Sequence, residues 1–408
     1  MRYFRSPILL ILVAVLGYSL QACAAEPANP SNKENPIYSA PATASVTEGD
    51  IKSLMYTVLA EISSLQEYMV SEKKFLDPKN DKVIANHIQQ LSRLSTQVLK
   101  TKKLQVPGYR LSGEALDSHF QELKYAYNSG NKKYARWMLS ATPYACASCH
   151  TQIAHSPKPL WELNEKDLSG SVFEKADFLF ATRNYAQAEK LYTQMLRSYA
   201  GDTLPNTTLD DQQIETVAKR KLSIFVRINR DFKNAEVSFS KDLQNKKLPK
   251  DLHENMKSWI TQLKSASKQD PKILGKPMKV IAHAAKVLDK LPRTFVSANN
   301  PQLVDVLNVS SLLYQTLHAH PRDELTASLL FWLGVADLSL NNEFFFSLGS
   351  TYLKECMREF PKTLVARRCF AEYEADVKNL YTGTRGTDIP EEVAQELKFF
   401  RARVGIED

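Results

Sequence analysis

Beyond its opening residues the 408-residue chain contains no long apolar run. This excludes a polytopic membrane protein, because a spanning helix needs about 20 consecutive apolar residues. Glycine and proline are scarce, at 13 and 19 residues, so collagen-like, mucin-like and largely disordered organisations are excluded as well. Hydrophobic residues make up 43% of the chain, which is ample for folded cores, and at about 100–200 residues per domain the length allows two or three domains. There is no stripe of Arg and Lys with interleaved aromatics, so the formal net charge of +8 reads as solvated surface and no nucleic acid is expected as a partner. No Ser/His/Asp or paired-carboxylate arrangement stands out in the linear sequence, although such residues meet only in the fold; an enzymatic role stays open, with a non-enzymatic one as the favoured reading. The stretch Tyr381–Gly386 is rich in glycine but lacks the preceding strand and following Lys-Ser/Thr of a phosphate cradle, and reads as a turn.

The one strongly apolar stretch runs from Ile8 to Leu20, broken only by Gly17, Tyr18 and Ser19, behind Arg2 and Arg5 and ahead of small residues around Ala22–Ala25. It is too short to span a bilayer and fits an export signal over residues 1–22, which places the protein outside the bacterial cytoplasm. Leu20-Gln21-Ala22-Cys23 resembles a lipoprotein signal, in which Cys23 takes a lipid and anchors the chain to the membrane. Gln21 departs from the commonest form. By the same resemblance, Ala24 after the cysteine implies delivery to the outer membrane, on its periplasmic side. A cut after Ala24, giving a soluble periplasmic protein, is the competing reading. Residues 23–49, rich in Pro, Ala, Ser and Asn, read as a flexible tether.

Five cysteines in an exported protein leave one thiol over. Cys23 is lipidated or cut away, and Cys146-Ala147-Ser148-Cys149-His150 is a C-x-x-C-H, the covalent attachment signature of c-type haem, one per chain. Thiols three residues apart lie on one side of a helical turn and can reach two vinyl groups of one porphyrin. The next residue presents its imidazole, so His150 is the expected proximal iron ligand. A redox C-x-x-C would sit at a βα junction that this sequence lacks, and half a zinc site would need a second ligand pair. Cys356 and Cys369 remain. They are equidistant from the Pro361-Lys362-Thr363 turn of an expected helical hairpin, which sets them at one height and makes a disulfide the expectation. Two small cysteines filling the hairpin seam is the alternative.

Upstream of the motif are four stretches of helical periodicity. The first runs from Asp50, a plausible N-cap, with Ile51, Leu54, Met55, Val58, Leu59, Ile62, Leu65 and Met69 as its apolar stripe. The second follows Asp77-Pro78, the third begins near Ser112 after the Pro107-Gly108 break and stops at Gly130, and the fourth runs from about Asn131 toward Cys146. Pro143 is expected to kink or restart that last helix, with Thr142 as a new cap. Helices joined by short loops make an up-down-up-down bundle the economical architecture.

With its C-x-x-C-H near the end of a fourth helix, this region resembles the cytochromes c-prime and their low-spin relatives. The resemblance covers residues 50–158 and implies a four-helix haem domain. The aromatic-basic ending that follows the motif in that family is replaced here by Thr151-Gln152-Ile153-Ala154. A Met one turn into the first helix is the distal ligand that the resemblance implies, which is Met55. In such a bundle Met55 and His119 lie near the haem end, whereas Met69 and His87 are remote. Met55 as a core residue only, His119 as the ligand, and an open sixth position remain alternatives. So does a small cytochrome c of the commoner type with Met195 as its distal ligand.

Downstream, Arg183-Asn184-Tyr185-Ala186-Gln187-Ala188 through Tyr192 to Leu196 resembles the second helix of a tetratricopeptide repeat, with Ala176 and Leu179 placed for the first. The pattern recurs at Arg230-Asp231-Phe232 with Ala235 and Phe239, and again around Trp332-Leu333-Gly334 with Leu353, Cys356 and Phe360-Pro361. The spacing exceeds the usual repeat of about 34 residues. Residues 159–270 and 271–408, divided by a break at Ser265–Pro277, read as helical hairpins stacked in a solenoid, the whole chain being all-α. The expectation is a periplasmic monohaem cytochrome c that transfers electrons and docks a redox partner protein through its repeats. Haem-based gas binding at an open sixth position, or a partner-binding scaffold with structural haem, are the other classes.

Overall fold

The computed structural model describes residues 48–408 except 106, 152–158, 160–161, 202–208, 269–275, 292–301, 322–323, 341–346, 385 and 407–408, and the side chains at 48–50, 103, 107–108 and 148–149. The export signal, Cys23 and the tether up to residue 47 lie outside these residues. The described residues belong to one compact unit, Ser45–Asp408, and are almost wholly helical, so the all-α expectation holds.

The first helices are α1 (Glu48–Val70), the short α2 (Glu72–Leu76), α3 (Asp81–Leu99), α4 (Pro107–Asn128) and α5 (Lys132–His150). Their ends follow local chemistry. Asp77 accepts from the Lys79 N–H at 3.0 Å ahead of a 3-10 turn that Pro78 opens. Gly130 supplies the left-handed residue after α4, with φ +82°, and the Asn131 side chain accepts from the Tyr134 N–H at 3.3 Å to start α5. Three expectations are corrected. Asp50 is not the cap of α1, which already runs from Glu48. Pro107 does not end a segment but opens α4, a position where its fixed φ suits a first turn and its missing N–H costs nothing. Pro143 does not interrupt α5: the helix tolerates the lost backbone hydrogen bond, and Thr142, instead of capping a new helix, donates its hydroxyl back to the Met138 carbonyl at 3.3 Å.

Helix α1 packs on α3 and α5, and α4 on α3 and α5, around Leu65, Ile88, Leu91, Phe120, Leu123 and Leu139, all essentially removed from water. The chain then continues through α6 (Val172–Ala181), α7 (Tyr185–Ser198), α8 (Asp211–Ser223) and α9 (Phe232–Asp242). Ser171 and Glu174 form a reciprocal capping box at the start of α6, and Asp210 and Gln213 another at the start of α8. Helix α8 runs on into a π-turn, Ile224–Asn229, where the Arg227 carbonyl accepts from the Ser311 hydroxyl at 3.0 Å. The related motifs 47 residues apart share a backbone device: Arg183 and Arg230 both sit in the left-handed region, at φ 70° and 52°, each turning the chain into the following helix.

Next come α10 (Lys250–Ala266), α11 (Pro277–Leu288), α12 (Leu303–Ala319), α13 (Thr326–Leu340), α14 (Gly349–Glu359), α15 (Leu364–Leu380) and α16 (Glu391–Arg403). Gly334 on α13 allows α14 to close in, since a Cβ there would lie 2.6 Å from Leu353 Cδ2. Between α15 and α16, Thr382–Gly383 and Gly386–Thr387 pair as two short antiparallel strands, so the glycine-rich stretch is a small hairpin. Cys356 and Cys369 form a disulfide between α14 and α15, with Cα atoms 6.5 Å apart; the hairpin geometry expected from their equal distance to the turn is the one found.

The first five helices are tied to later parts of the chain by specific contacts. Gln66 on α1 exchanges a pair of amide hydrogen bonds with the Ser169 backbone, at 2.8 and 2.9 Å, just before α6. At the start of α4, the Tyr109 ring lies 5.8 Å from Tyr314 and 4.7 Å from His318, both on α12, while Arg110 pairs with the buried Glu355 of α14.

Candidate functional site

A cavity partly open to solvent lies where α1, α5 and the end of α6 meet. Met55, Val58, Leu59 and Ile62 form one wall; their spacing is the i, i+3, i+4, i+7 stripe of a single helix face. Pro143, Cys146 and His150 form the second, three positions on one side of the last turns of α5. Phe178, Ala181, Thr182 and Arg183, from the end of α6 and its turn, complete the lining.

Three of the residues expected to hold haem therefore share one space: Met55, Cys146 and His150. The Cys149 side chain lies outside the described residues. His119 is not among the lining residues; it is buried, hydrogen-bonded through Nε2 to Thr142 Oγ1 at 3.0 Å, with its ring edge-on to Phe120 at 5.6 Å. His87 is engaged elsewhere, its Nδ1 2.6 Å from Glu61. Met195 is fully buried on α7 and is not part of the lining.

The electrostatics at His150 are those of a ligand-ready imidazole. Burial, helped by the nearby Arg183 charge, pulls its pKa down to about 4, so the ring is neutral near pH 7. Its Nδ1 lies 3.4 Å from the Ala181 carbonyl. A carbonyl can only accept, so Nδ1 carries the proton and the Nε2 lone pair is left for a metal. This is the second interaction that a metal-bound histidine ordinarily makes. An apolar slot with a thioether on one wall and a cysteine thiol and a neutral, oriented imidazole on the other fits a haem c donor set.

Behind the cavity a buried polar cluster joins α5 to the helices that follow. Asp177 accepts from the Tyr192 hydroxyl at 2.7 Å and from that of Tyr144 at 3.4 Å, and the Arg220 guanidinium stacks over Tyr144 and Phe180 at 4.7 and 5.2 Å. Burial and the Asp177 charge both raise the Tyr144 and Tyr192 phenols, which stay protonated as donors. Tyr144 stands two residues before Cys146, so this cluster fixes the turn of α5 that carries the motif.

Sequence reasoning did not find the contribution of Phe178, Ala181, Thr182 and Arg183. They lie some thirty residues beyond the motif, in a hairpin whose pattern was fully accounted for by repeat packing. The one signal available was Arg183 itself, a non-glycine residue at the position where an αL helix end is normally glycine. The chain matches no family model, and no curated protein or solved structure is significantly similar to it.

Proposed function

We propose that the protein is a monohaem c-type cytochrome of the bacterial envelope that transfers electrons. In this reading α1, α3, α4 and α5 are a four-helix haem-binding bundle like that of the cytochromes c-prime, and α6 onward is a tetratricopeptide-like solenoid that docks a redox partner protein. Residues 1–22 export the chain, and Cys23 carries a lipid that holds it to the outer membrane on the periplasmic side. The observation that carries the proposal is the convergence of Met55, Cys146 and His150 on one apolar cavity.

Each residue has a defined part. Cys146 and Cys149 hold the group through thioether bonds, so that it is not lost in an open compartment. His150 supplies a neutral imidazole lone pair, oriented by the Ala181 carbonyl. Met55 supplies a thioether from the opposite wall, and Val58, Leu59, Ile62 and Phe178 exclude water. When bound, a His/Met-ligated haem accepts and releases one electron at relatively high potential.

The test is expression with a cytochrome c maturation system. Wild-type protein is expected to stain for covalent haem on a denaturing gel and the Cys146→Ala/Cys149→Ala double variant not to; retained covalent staining in the double variant contradicts the proposal. A second arm reads the distal side. Reduced wild type should bind carbon monoxide poorly and Met55→Ala readily, whereas ready binding by the wild type points to gas binding rather than electron transfer.

A further inference from the structure

The α6–α7 turn supplies what the bundle helices lack at the cavity. Thr182 ends α6, the Arg183 N–H donates to the Phe180 carbonyl at 3.1 Å, and the Asn184 N–H donates to the Leu179 carbonyl at 2.8 Å. This is the paired hydrogen bonding of a Schellman helix end, with Arg183 at the left-handed position, φ 70°. An L-residue with a side chain is disfavoured there by about 1–2 kcal/mol relative to glycine. The turn is pinned on both sides. The Thr182 hydroxyl donates to the Phe178 carbonyl at 2.8 Å, and the Asn184 side-chain oxygen accepts from the Leu163 N–H at 3.2 Å. A rigid turn thus holds a guanidinium-bearing side chain at the cavity in a conformation that glycine would adopt more readily, and it presents the Ala181 carbonyl to His150 from the same turn.

We infer that the α6–α7 turn is the proximal wall of the haem site and that Arg183 is a positioning residue whose fixed positive charge raises the iron reduction potential. The inference rests on the haem reading above. The physical reason is simple. Ferric iron carries one more positive charge than ferrous iron, and a partly buried cation nearby is weakly screened and disfavours the more positive state. The step is a transfer of one electron from an external mediator, with no bond made or broken. Arg183 shifts its equilibrium through its charge. Residues on the repeat side of the chain therefore set a property of the site as well as offering a surface to a partner.

The experiment is potentiometric titration of the intact haem-loaded protein with Arg183→Gly, Arg183→Gln and Arg183→Lys. Glycine suits the backbone and removes the charge; glutamine keeps the backbone strain and removes the charge; lysine keeps both strain and charge. Gly and Gln variants should each shift the equilibrium toward ferric iron about tenfold, a fall of about 59 mV for one electron, with Lys close to wild type. In parallel, Arg183→Gly should be at least as resistant to thermal unfolding as wild type, since it relieves the turn. If the variants load haem and Gly and Gln leave the potential unchanged, or Lys lowers it equally, the inference is wrong while the haem reading stands. If wild-type protein carries no covalent haem, the haem reading itself fails, and this inference with it.

Discussion

The two halves of the unit solve the same packing problem differently. Around α1, α5 and the end of α6, apolar side chains from three helices stop short of one another and leave a cavity. Around α7, α8 and α9 the packing takes in charged groups: Lys221 and Asp242 are both fully buried and paired, with Arg197 on the other Asp242 oxygen at 2.9 Å. Further along, the disulfide ties α14 to α15 and Gly334 lets α13 and α14 touch. A core whose buried Lys221 and Asp242 neutralise each other reads as scaffold. A gap lined by a thiol, a thioether and an oriented imidazole is a candidate site. The difference between the halves is therefore a difference in what is left unfilled.

Asp242→Ala breaks the comparison most severely. It strands the Lys221 ammonium, whose pKa burial already lowers against the pull of Asp242, and should cost about 3–5 kcal/mol in chemical denaturation. An apolar pair of similar volume at both positions should be close to neutral; equal damage from both would mean that the pair is valued for more than mutual neutralisation. Removing the disulfide with Cys356→Ala/Cys369→Ala should cost about 3 kcal/mol, the value for so short a loop, without changing the spectrum of the haem proposed for the cavity. A spectral change would mean that the far end of the chain is coupled to the cavity.

The smallest effect at neutral pH, and the sharpest for the first five helices, is at His119. Burial lowers its pKa to about 4, from an ordinary value of 6.5, partly opposed by Glu122. Between those values the unfolded chain binds a proton that the native protein does not, so this contribution is complete above about pH 6.5 and is lost as pH falls through about 4. His119→Gln should flatten the stability profile in that window, measured by urea midpoints from pH 7 to pH 4. An unchanged slope would show that His119 is not the group responsible.

Much of this was legible in the sequence, and for identifiable reasons. The apolar stripe of Met55, Val58, Leu59 and Ile62 and the C-x-x-C-H are local patterns, and local patterns survive into the fold. So did Cys356 and Cys369, because equal distance from a turn fixes their height in any antiparallel hairpin. What was hidden depends on chain segments distant in sequence. The Ala181 carbonyl has no side chain to announce it, and Arg183 falls in a sequence pattern that resembles a helical repeat. Pro143 misled because a helix held on several sides can absorb one missing hydrogen bond.

The central claim is that the cavity between Met55 and His150 holds a haem fixed by the adjacent thiols. Its most direct test is mass spectrometry of peptides from the mature protein, made with a cytochrome c maturation system and digested after denaturation. The account predicts that the peptide containing Cys146, Cys149 and His150 carries the added mass of one haem, and that no other peptide does. Recovery of that peptide with both thiols free and alkylatable would contradict it.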